Sequence, residues 1–142
     1  MTQLAQFKEH FILFAEAGFI AINQADEDAA IKLFKAAEML DPKNDLPQIG
    51  MGYLHLCKLE LKQAAKTFEE ILATNPQNDM ARALLGLSLS LNPKDVDRGE
   101  KVLQESKDSR DPMVKDLAQN ALEFVEKFVK KPGLPTGSHK PK

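Results

Sequence analysis

Apolar positions recur along the chain with the period of an α-helix, and short turn sequences separate the periodic stretches. Clusters of proline, asparagine and aspartate lie at 41–45, 75–79, 92–95 and 110–112, and such clusters mark turns and helix starts. Asp111 followed by Pro112 is typical of a helix N-cap and first helical position. The pattern predicts an all-α fold with helices at 2–23, 27–40, 45–58, 61–74, 78–91, 95–107 and 112–131.

These helices are related by an internal repeat. Its period is the spacing between two turn prolines, Pro42 and Pro76, and the same offset relates small and aromatic residues in the helices. Glycine or alanine lets two helices approach closely, and phenylalanine fills the space between the turns. The residues that follow the repeat are Phe14, Ala17, Gly18, Ala21, Ala30, Phe34, Ala37 and Pro42, then Met51, Gly52, Ala64, Phe68 and Pro76, then Leu85 and Gly86.

The third copy departs from the pattern in its second helix. Arg98, Gly99, Leu103 and Ser106 stand where a small–aromatic–small series is expected. Terminal repeats are often atypical, and we expect the last helix to cap the end of the stack. The residues expected to form this cap are Leu117, Ala118, Ala121, Leu122, Val125 and Phe128.

A period of about 34 residues with paired helices resembles the tetratricopeptide repeat (TPR). The resemblance implies three helix pairs, at about 11–44, 45–78 and 79–111, in a right-handed superhelical stack with a capping helix at about 112–131. These elements form one predicted domain over 1–131. The segment 132–142 has three prolines, two glycines and no apolar periodicity, and it is predicted to be a disordered tail.

The first helix of each predicted pair is apolar on two faces. In the second pair, Gln48, Met51, Gly52 and His55 form the face expected to pack inside the stack, and a separate apolar row lies about a third of a turn away. In the architecture that the resemblance implies, that second row lines a concave groove. The predicted groove residues are Ile12, Ala15, Phe19, Ile22, Leu46, Ile49, Tyr53, Leu56, Met80, Ala83 and Leu87.

An apolar groove of this extent usually marks a binding surface. It lacks the lysine, arginine and asparagine with which TPR adaptors grip an acidic C-terminal peptide, so we expect a hydrophobic or amphipathic helix, or an extended apolar segment, as partner. Other occupants stay open: a second copy of the chain in a homodimer, the capping helix, or the chain's own segment 1–11, in which Leu4, Phe7 and Phe11 have helical spacing.

Composition and charge indicate which partners and which cell compartment to expect. The formal net charge is −2, which favours neither nucleic acid nor an anionic membrane as partner. No apolar run reaches the roughly 18 residues of a membrane span, and no signal peptide is recognised at the start. A single cysteine, Cys57, fits a reducing compartment. These features predict a cytoplasmic protein, with Cys57 as a buried and unreactive thiol.

The sequence contains no recognisable arrangement of catalytic residues. His10, His55 and His139 fall in different segments, and no spacing of histidine, cysteine and carboxylate suggests zinc. The Gly50-Met-Gly52 sequence lies inside a predicted helix, where a phosphate-binding loop is not expected. The sequence therefore predicts a binding protein without cofactor or enzymatic activity.

Three repeats, a capping helix and an apolar groove in a small chain resemble the TPR chaperones of bacterial type III secretion, which serve the needle subunit or the translocators. The resemblance implies a chaperone that keeps a secretion subunit soluble and unpolymerised before export, without nucleotide. For the needle-subunit type it also implies a small helical co-chaperone. The alternative is a TPR scaffold or adaptor in another complex.

The absence of catalytic and metal-binding patterns gives a first testable prediction. Purified protein is expected to show no turnover of nucleotides and no stoichiometric zinc, because neither set of ligands is recognised in the sequence. Nucleotide hydrolysis assays and metal analysis of the purified chain check this, and one tightly held zinc per chain would contradict it.

Overall fold

The computed structural model describes the backbone of residues 3–130 and the side chains of residue 6 and residues 9–130. This part of the chain contains helices and no strand, which confirms the all-α prediction, while the superhelical TPR arrangement stays a prediction. The predicted tail, 132–142, lies outside the described residues. The helices are α1 (Gln3–Asn23), α2 (Glu27–Leu40), α3 (Leu46–Cys57), α4 (Leu61–Thr74), α5 (Asp79–Ser90), α6 (Val96–Ser106) and α7 (Pro112–Phe124), which a π-helix (Val125–Lys130) continues.

Polar side chains at the turns explain where several helices begin. The side chain of Asp26 accepts a hydrogen bond from the backbone N–H of Ala29 at 3.1 Å, and Asn78 caps α5 in the same way. Asp111 accepts from the N–H of Met113 at 2.9 Å, and Pro112 is the first residue of α7. Such caps satisfy N–H groups that have no partner inside the helix, which is why the turn sequences predicted the helix boundaries well.

Contacts divide the chain into two compact units, Met1–Thr67 and Phe68–Lys142, with the boundary inside α4. In the first unit α1 packs against α2, and both pack against α3. In the second unit α5 packs against α6, and α7 packs against both. The single domain over 1–131 stays a prediction.

The first unit is organised around the ring of Phe34 on α2, which is 1 % exposed. A Cβ atom added at Gly18 of α1 would lie 2.6 Å from Phe34 Cε1, and one added at Gly50 of α3 would lie 2.3 Å from Phe34 Cζ. Both helices therefore reach the ring through a residue without a side chain. Gly50, which the repeat did not mark, is the glycine of α3 that lies against the ring.

The second unit uses the same kind of contact between α5 and α6. A Cβ atom at Gly86 would lie 2.9 Å from Leu103 Cγ, and one at Gly99 would lie 2.3 Å from Ser90 Oγ. Gly99, Leu103 and Ser106 are all buried. Their spacing along the helix is that of Ala30, Phe34 and Ala37, which are buried in α2. The third copy therefore keeps this spacing within its second helix, but its three residues lie one position later than the repeat period predicts.

The Phe34 contact gives a prediction about stability. Phe34→Ala is expected to cost about 3–5 kcal/mol of unfolding free energy, as is usual for a buried phenylalanine. Gly50→Ala is expected to cost about 1–3 kcal/mol in the wild type, because the new methyl group overlaps the ring. In the Phe34→Ala background the same glycine substitution should cost much less, since the two positions are coupled.

Chemical denaturation of the four proteins measures this coupling. Met39→Ala serves as the control, because Met39 is 82 % exposed on the same helix as Phe34 and should change the stability by less than about 0.5 kcal/mol. Additive losses in the double variant would show that Gly50 and Phe34 do not share a packing contact.

Candidate functional site

Five of the eleven predicted groove residues are buried in the structure. Burial at these positions means that their side chains present no surface to a partner while the helices are packed as described. The helical period showed that α3 is apolar on two faces, but it did not show which face its neighbours cover. The buried residues are Ala15, Ile22, Ile49, Leu56 and Ala83.

The face of α3 predicted to pack inside the stack is less buried than expected. Gln48 is exposed, Met51 and His55 are half-buried, and Gly52 alone is buried. Gly50, two positions earlier, contacts the Phe34 ring instead. The packed surface of α3 is therefore rotated from its predicted position, toward the row that contains Ile49.

Phe19 of α1 and Tyr53 of α3 form the partly exposed aromatic surface of the first unit. Their ring centroids are 6.0 Å apart at an interplanar angle of 52°, and both side chains are half-buried. Phe19 also packs edge-on against Phe34 at 5.1 Å, so the surface pair rests directly on the core. The two residues occupy equivalent positions one repeat period apart, and the structure brings them together.

The first predicted groove residues of α1 and α3 differ in exposure. Ile12, one helical heptad before Phe19, is 50 % exposed. Leu46 at the start of α3 is half-buried and packs against the cluster of Phe11, Ala15 and Ala37. Phe11 thus belongs to the buried face of α1 beside a predicted groove residue. The side chains of Leu4 and Phe7, the other apolar residues of the intramolecular alternative, lie outside the described part.

In the second unit, Met80 and Leu87 are half-buried. Leu87 packs against the cluster of Leu103, Ala118 and Ala121, so α7 covers part of this predicted groove residue. Leu87 and Ala121 are again one repeat period apart, as Phe19 and Tyr53 are. Within the second unit, α7 therefore packs against α5 and α6 through a residue one repeat period beyond Leu87.

Sequence reasoning missed apolar surface residues on α7 and on the π-helix that continues it. Phe124 was not singled out and Phe128 was expected in the cap, but they are 47 % and 40 % exposed, with ring centroids 5.1 Å apart. Leu117, on the same helix, is half-buried. Leu117 lies one repeat period after Ala83, a predicted groove residue, and Phe124 lies one heptad after Leu117, so extending the groove spacing by one more period would have found them.

A group of ion pairs lies at the C-terminal end of α3, about one turn beyond Tyr53. The Lys58 ammonium lies 2.8 Å from Glu27 Oε2 in the first turn of α2 and 3.3 Å from Glu60 Oε2. The His55 Nδ1 atom lies 2.7 Å from Glu60 Oε1. The hydrogen bond with His55 lowers the pKa of the Glu60 carboxyl, and the hydrogen bond with Glu27 raises the pKa of Lys58. These contacts join the end of α3 to the start of α2.

Cys57 is exposed, so the prediction of a buried thiol is wrong. It follows Tyr53 by one helical turn, and α3 ends at this residue. Burial raises the pKa of the Tyr53 hydroxyl, with a smaller contribution from Cys57. The cysteine therefore lies at the solvent edge of the aromatic surface rather than in the core.

The described part of the chain offers little for metal binding or membrane insertion. Over residues 3–130, no group of three histidine, cysteine or carboxylate residues is arranged to hold a metal ion. Among the same residues, no helix combines the length and the apolar character needed to cross a membrane. The partly exposed apolar side chains are thus the feature of this region that points to a function.

Comparison of the chain with protein-family profiles, with curated proteins and with solved structures found no match. The class of the molecule is therefore given by its own architecture, which in the described residues is an all-α protein of packed helices. Its function has to be argued from the apolar surfaces of the two units.

The position of Cys57 gives a prediction about reactivity. The native protein is expected to react with a chromogenic disulfide reagent at one thiol per chain, since Cys57 is the single cysteine and is exposed. The reaction rate should lie within about tenfold of the rate in denaturant, because exposure and thiolate fraction set thiol reactivity. A thiol that reacts only after unfolding would contradict the exposed position.

Proposed function

We propose that the protein is a chaperone that binds an apolar or amphipathic helical segment of another protein, its client, against the Phe19–Tyr53 surface. The observation that carries the proposal is that two aromatic side chains at equivalent repeat positions meet and stay half-exposed. Large aromatic side chains that are partly buried and rigidly supported are typical anchors of protein interfaces. Phe34 supplies that support, because its buried ring packs edge-on against the ring of Phe19.

The client of this proposal is apolar because the surface has no group that would grip a charge. Ile12, Phe19 and Tyr53 offer one hydroxyl and no ammonium or guanidinium group. A helix that places its own apolar stripe on this surface would bury it without leaving charges unpaired. In the second unit, Leu117, Phe124 and Phe128 offer a further apolar surface of the same chemistry.

The biological setting of the proposal is bacterial type III secretion, with a needle or translocator subunit as client in the cytoplasm. The resemblance of the internal repeat to the TPR chaperones of that system supports this setting. The proposed mechanism needs no nucleotide: covering the client's apolar helix lowers the concentration of the form that polymerises. Release then follows when another component competes for the same helix.

Tyr53→Glu tests the proposed surface. The substitution places a carboxylate against an apolar client, where it would be desolvated without a partner, so client affinity should fall by more than about tenfold. Loss of the ring contact with Phe19 should lower the stability by about 1 kcal/mol, which leaves the variant folded. Titration of a needle subunit from the same genome, followed by light scattering of its polymerisation, measures the effect.

Met39→Glu is the matched control, because it adds the same charge at an exposed position on α2 and should leave client binding unchanged. Two outcomes would contradict the proposal. Unchanged affinity in Tyr53→Glu would exclude this surface as the client site. A wild type that is dimeric by sedimentation, with a monomeric Tyr53→Glu variant, would identify a second copy of the chain as the occupant.

A further inference from the structure

The turn between α1 and α2 closes the end of α1 with two nested backbone hydrogen bonds. The N–H of Asp26 donates to Ala21 O at 2.8 Å, and the N–H of Ala25 donates to Ile22 O at 2.9 Å. Ala25 has a left-handed backbone conformation, with φ at 60°. This is the Schellman geometry that ends many helices, in which the left-handed residue is usually glycine.

The turn between α3 and α4 has the same geometry one repeat period later. The N–H of Glu60 donates to His55 O and the N–H of Leu59 donates to Leu56 O, both at 2.9 Å. Leu59 has φ at 60°, and its side chain is 71 % exposed. A left-handed backbone is unfavourable for a residue with a side chain, and an exposed leucine recovers little of that cost through burial.

A side-chain contact supports the second turn and is missing from the first. In Schellman turns an apolar contact often joins the two residues that share the longer backbone hydrogen bond. In the α3–α4 turn these residues are His55 and Glu60, and His55 Nδ1 lies 2.7 Å from Glu60 Oε1. In the α1–α2 turn they are Ala21 and Asp26. Alanine has no group to pair with a carboxylate, and Asp26 accepts from the N–H of Ala29 instead.

The charge of His55 is the one that responds to pH near neutrality, because histidine changes charge between about pH 5 and 8. The hydrogen bond with His55 lowers the pKa of the Glu60 carboxyl, and the hydrogen bond with Glu27 raises the pKa of Lys58. Glu60 and Lys58 therefore keep their charges from pH 5.5 to 7.5. The last turn of α1, residues 20–23, has no charged side chain. The other titratable groups at this end of the helices are Asp26, Glu27 and Asp28 on α2, Tyr53 and Cys57 on α3, and Lys62 on α4.

The strength of the contact depends on the protonation of the imidazole. A protonated ring donates a charge-assisted hydrogen bond to Glu60, which is about twice as strong as the bond from a neutral ring. The contact is therefore strongest at mildly acidic pH, where His55 is charged and Glu60 is still ionised. It weakens as the pH rises and His55 loses its proton, and it is lost when the pH falls through the lowered pKa of Glu60.

We propose that the α3–α4 turn is a pH-sensitive element of the fold, which the His55–Glu60 pair closes most firmly at about pH 5.5 and less firmly at about pH 7.5. The pair joins the residues on either side of Leu59 and so offsets its unfavourable backbone conformation. The α1–α2 turn has the same backbone bonds without histidine and does not respond. This inference does not depend on the client proposed for the Phe19–Tyr53 surface.

Hydrogen exchange of single amides, measured by NMR, tests the proposal. The Glu60 N–H reports closure of the α3–α4 turn, and the Asp26 N–H reports closure of the α1–α2 turn. The ratio of their protection factors cancels the intrinsic pH dependence of exchange and any change in the stability of the whole first unit. This ratio is expected to be about two- to fivefold higher at pH 5.5 than at pH 7.5, as for a partly exposed ion pair.

Variants assign the effect to the pair. His55→Gln keeps a hydrogen-bond donor near Glu60 but has no charge to lose, so the ratio should become independent of pH. Glu60→Gln removes the carboxylate and should have nearly the same effect. Glu38→Gln is the matched control, because it neutralises an exposed carboxylate elsewhere on α2 and should leave the wild-type pH dependence unchanged. Circular dichroism of each variant checks that the helices are retained.

Three results would overturn the proposal. The first is a wild-type ratio that is equal at both pH values or higher at pH 7.5. The second is a His55→Gln variant that keeps the wild-type pH dependence. The third is a Glu60 amide that exchanges at the unprotected rate at both pH values, which would show that the pair does not hold this turn closed.

Discussion

Phe34 lies where α1, α2 and α3 meet, and both neighbouring helices reach its ring through a glycine. Interiors of proteins are packed as densely as organic crystals, so a ring held in this way leaves no room for a methyl group at Gly18 or Gly50. The separation of the three helices is therefore set by the thickness of one aromatic ring. The rest of the first unit, including the aromatic surface, follows from that separation.

The same constraint explains why large apolar side chains appear at the surface. Small residues line the closest helix contacts, both around Phe34 and between α5 and α6, where Gly86 and Gly99 approach Leu103 and Ser90. In the first unit, large side chains of α1 and α3 lie beside the contact with Phe34 rather than in place of its glycines. Phe19 and Tyr53 therefore rest on the core and remain partly open to solvent.

Local signals in the sequence predicted the helices, because each boundary depends on a cap or a turn that a few neighbouring residues specify. Asp111 and Pro112 are an example, since the predicted N-cap hydrogen bond is present. The faces of the helices depend on contacts distant in sequence, and there the prediction was weaker. The repeat marked Gly52, whereas the contact with Phe34 is made by Gly50. A helical wheel shows that two faces of α3 are apolar, but it does not show which of them packs against neighbouring helices.

The candidate site was predictable where it follows the repeat directly. The pairing of Phe19 with Tyr53 follows from their spacing in the sequence. The burial of Ala15 and Ala83 depends on how closely neighbouring helices approach each other, and the spacing of residues along the chain does not show that distance. The surface of Phe124 and Phe128 was missed because the last helix was treated as a cap alone. The exposure of Cys57 depends on α3 ending at that residue, a boundary predicted one position later.

One exposed side of α7 is polar, and this has a consequence for assembly. Asp116, Gln119, Asn120 and Glu123 are all exposed, and they stand three repeat periods after Phe14, Ala17, Gly18 and Ala21 of α1. Head-to-tail growth into a filament requires two complementary adhesive faces on each molecule. Within residues 3–130, the last helix presents acids and amides at the positions where the first presents a helix-packing surface, so these positions do not supply a second face of that kind. A second copy would therefore meet charged and amide side chains at these positions of α7, which disfavours head-to-tail growth of the protein on itself.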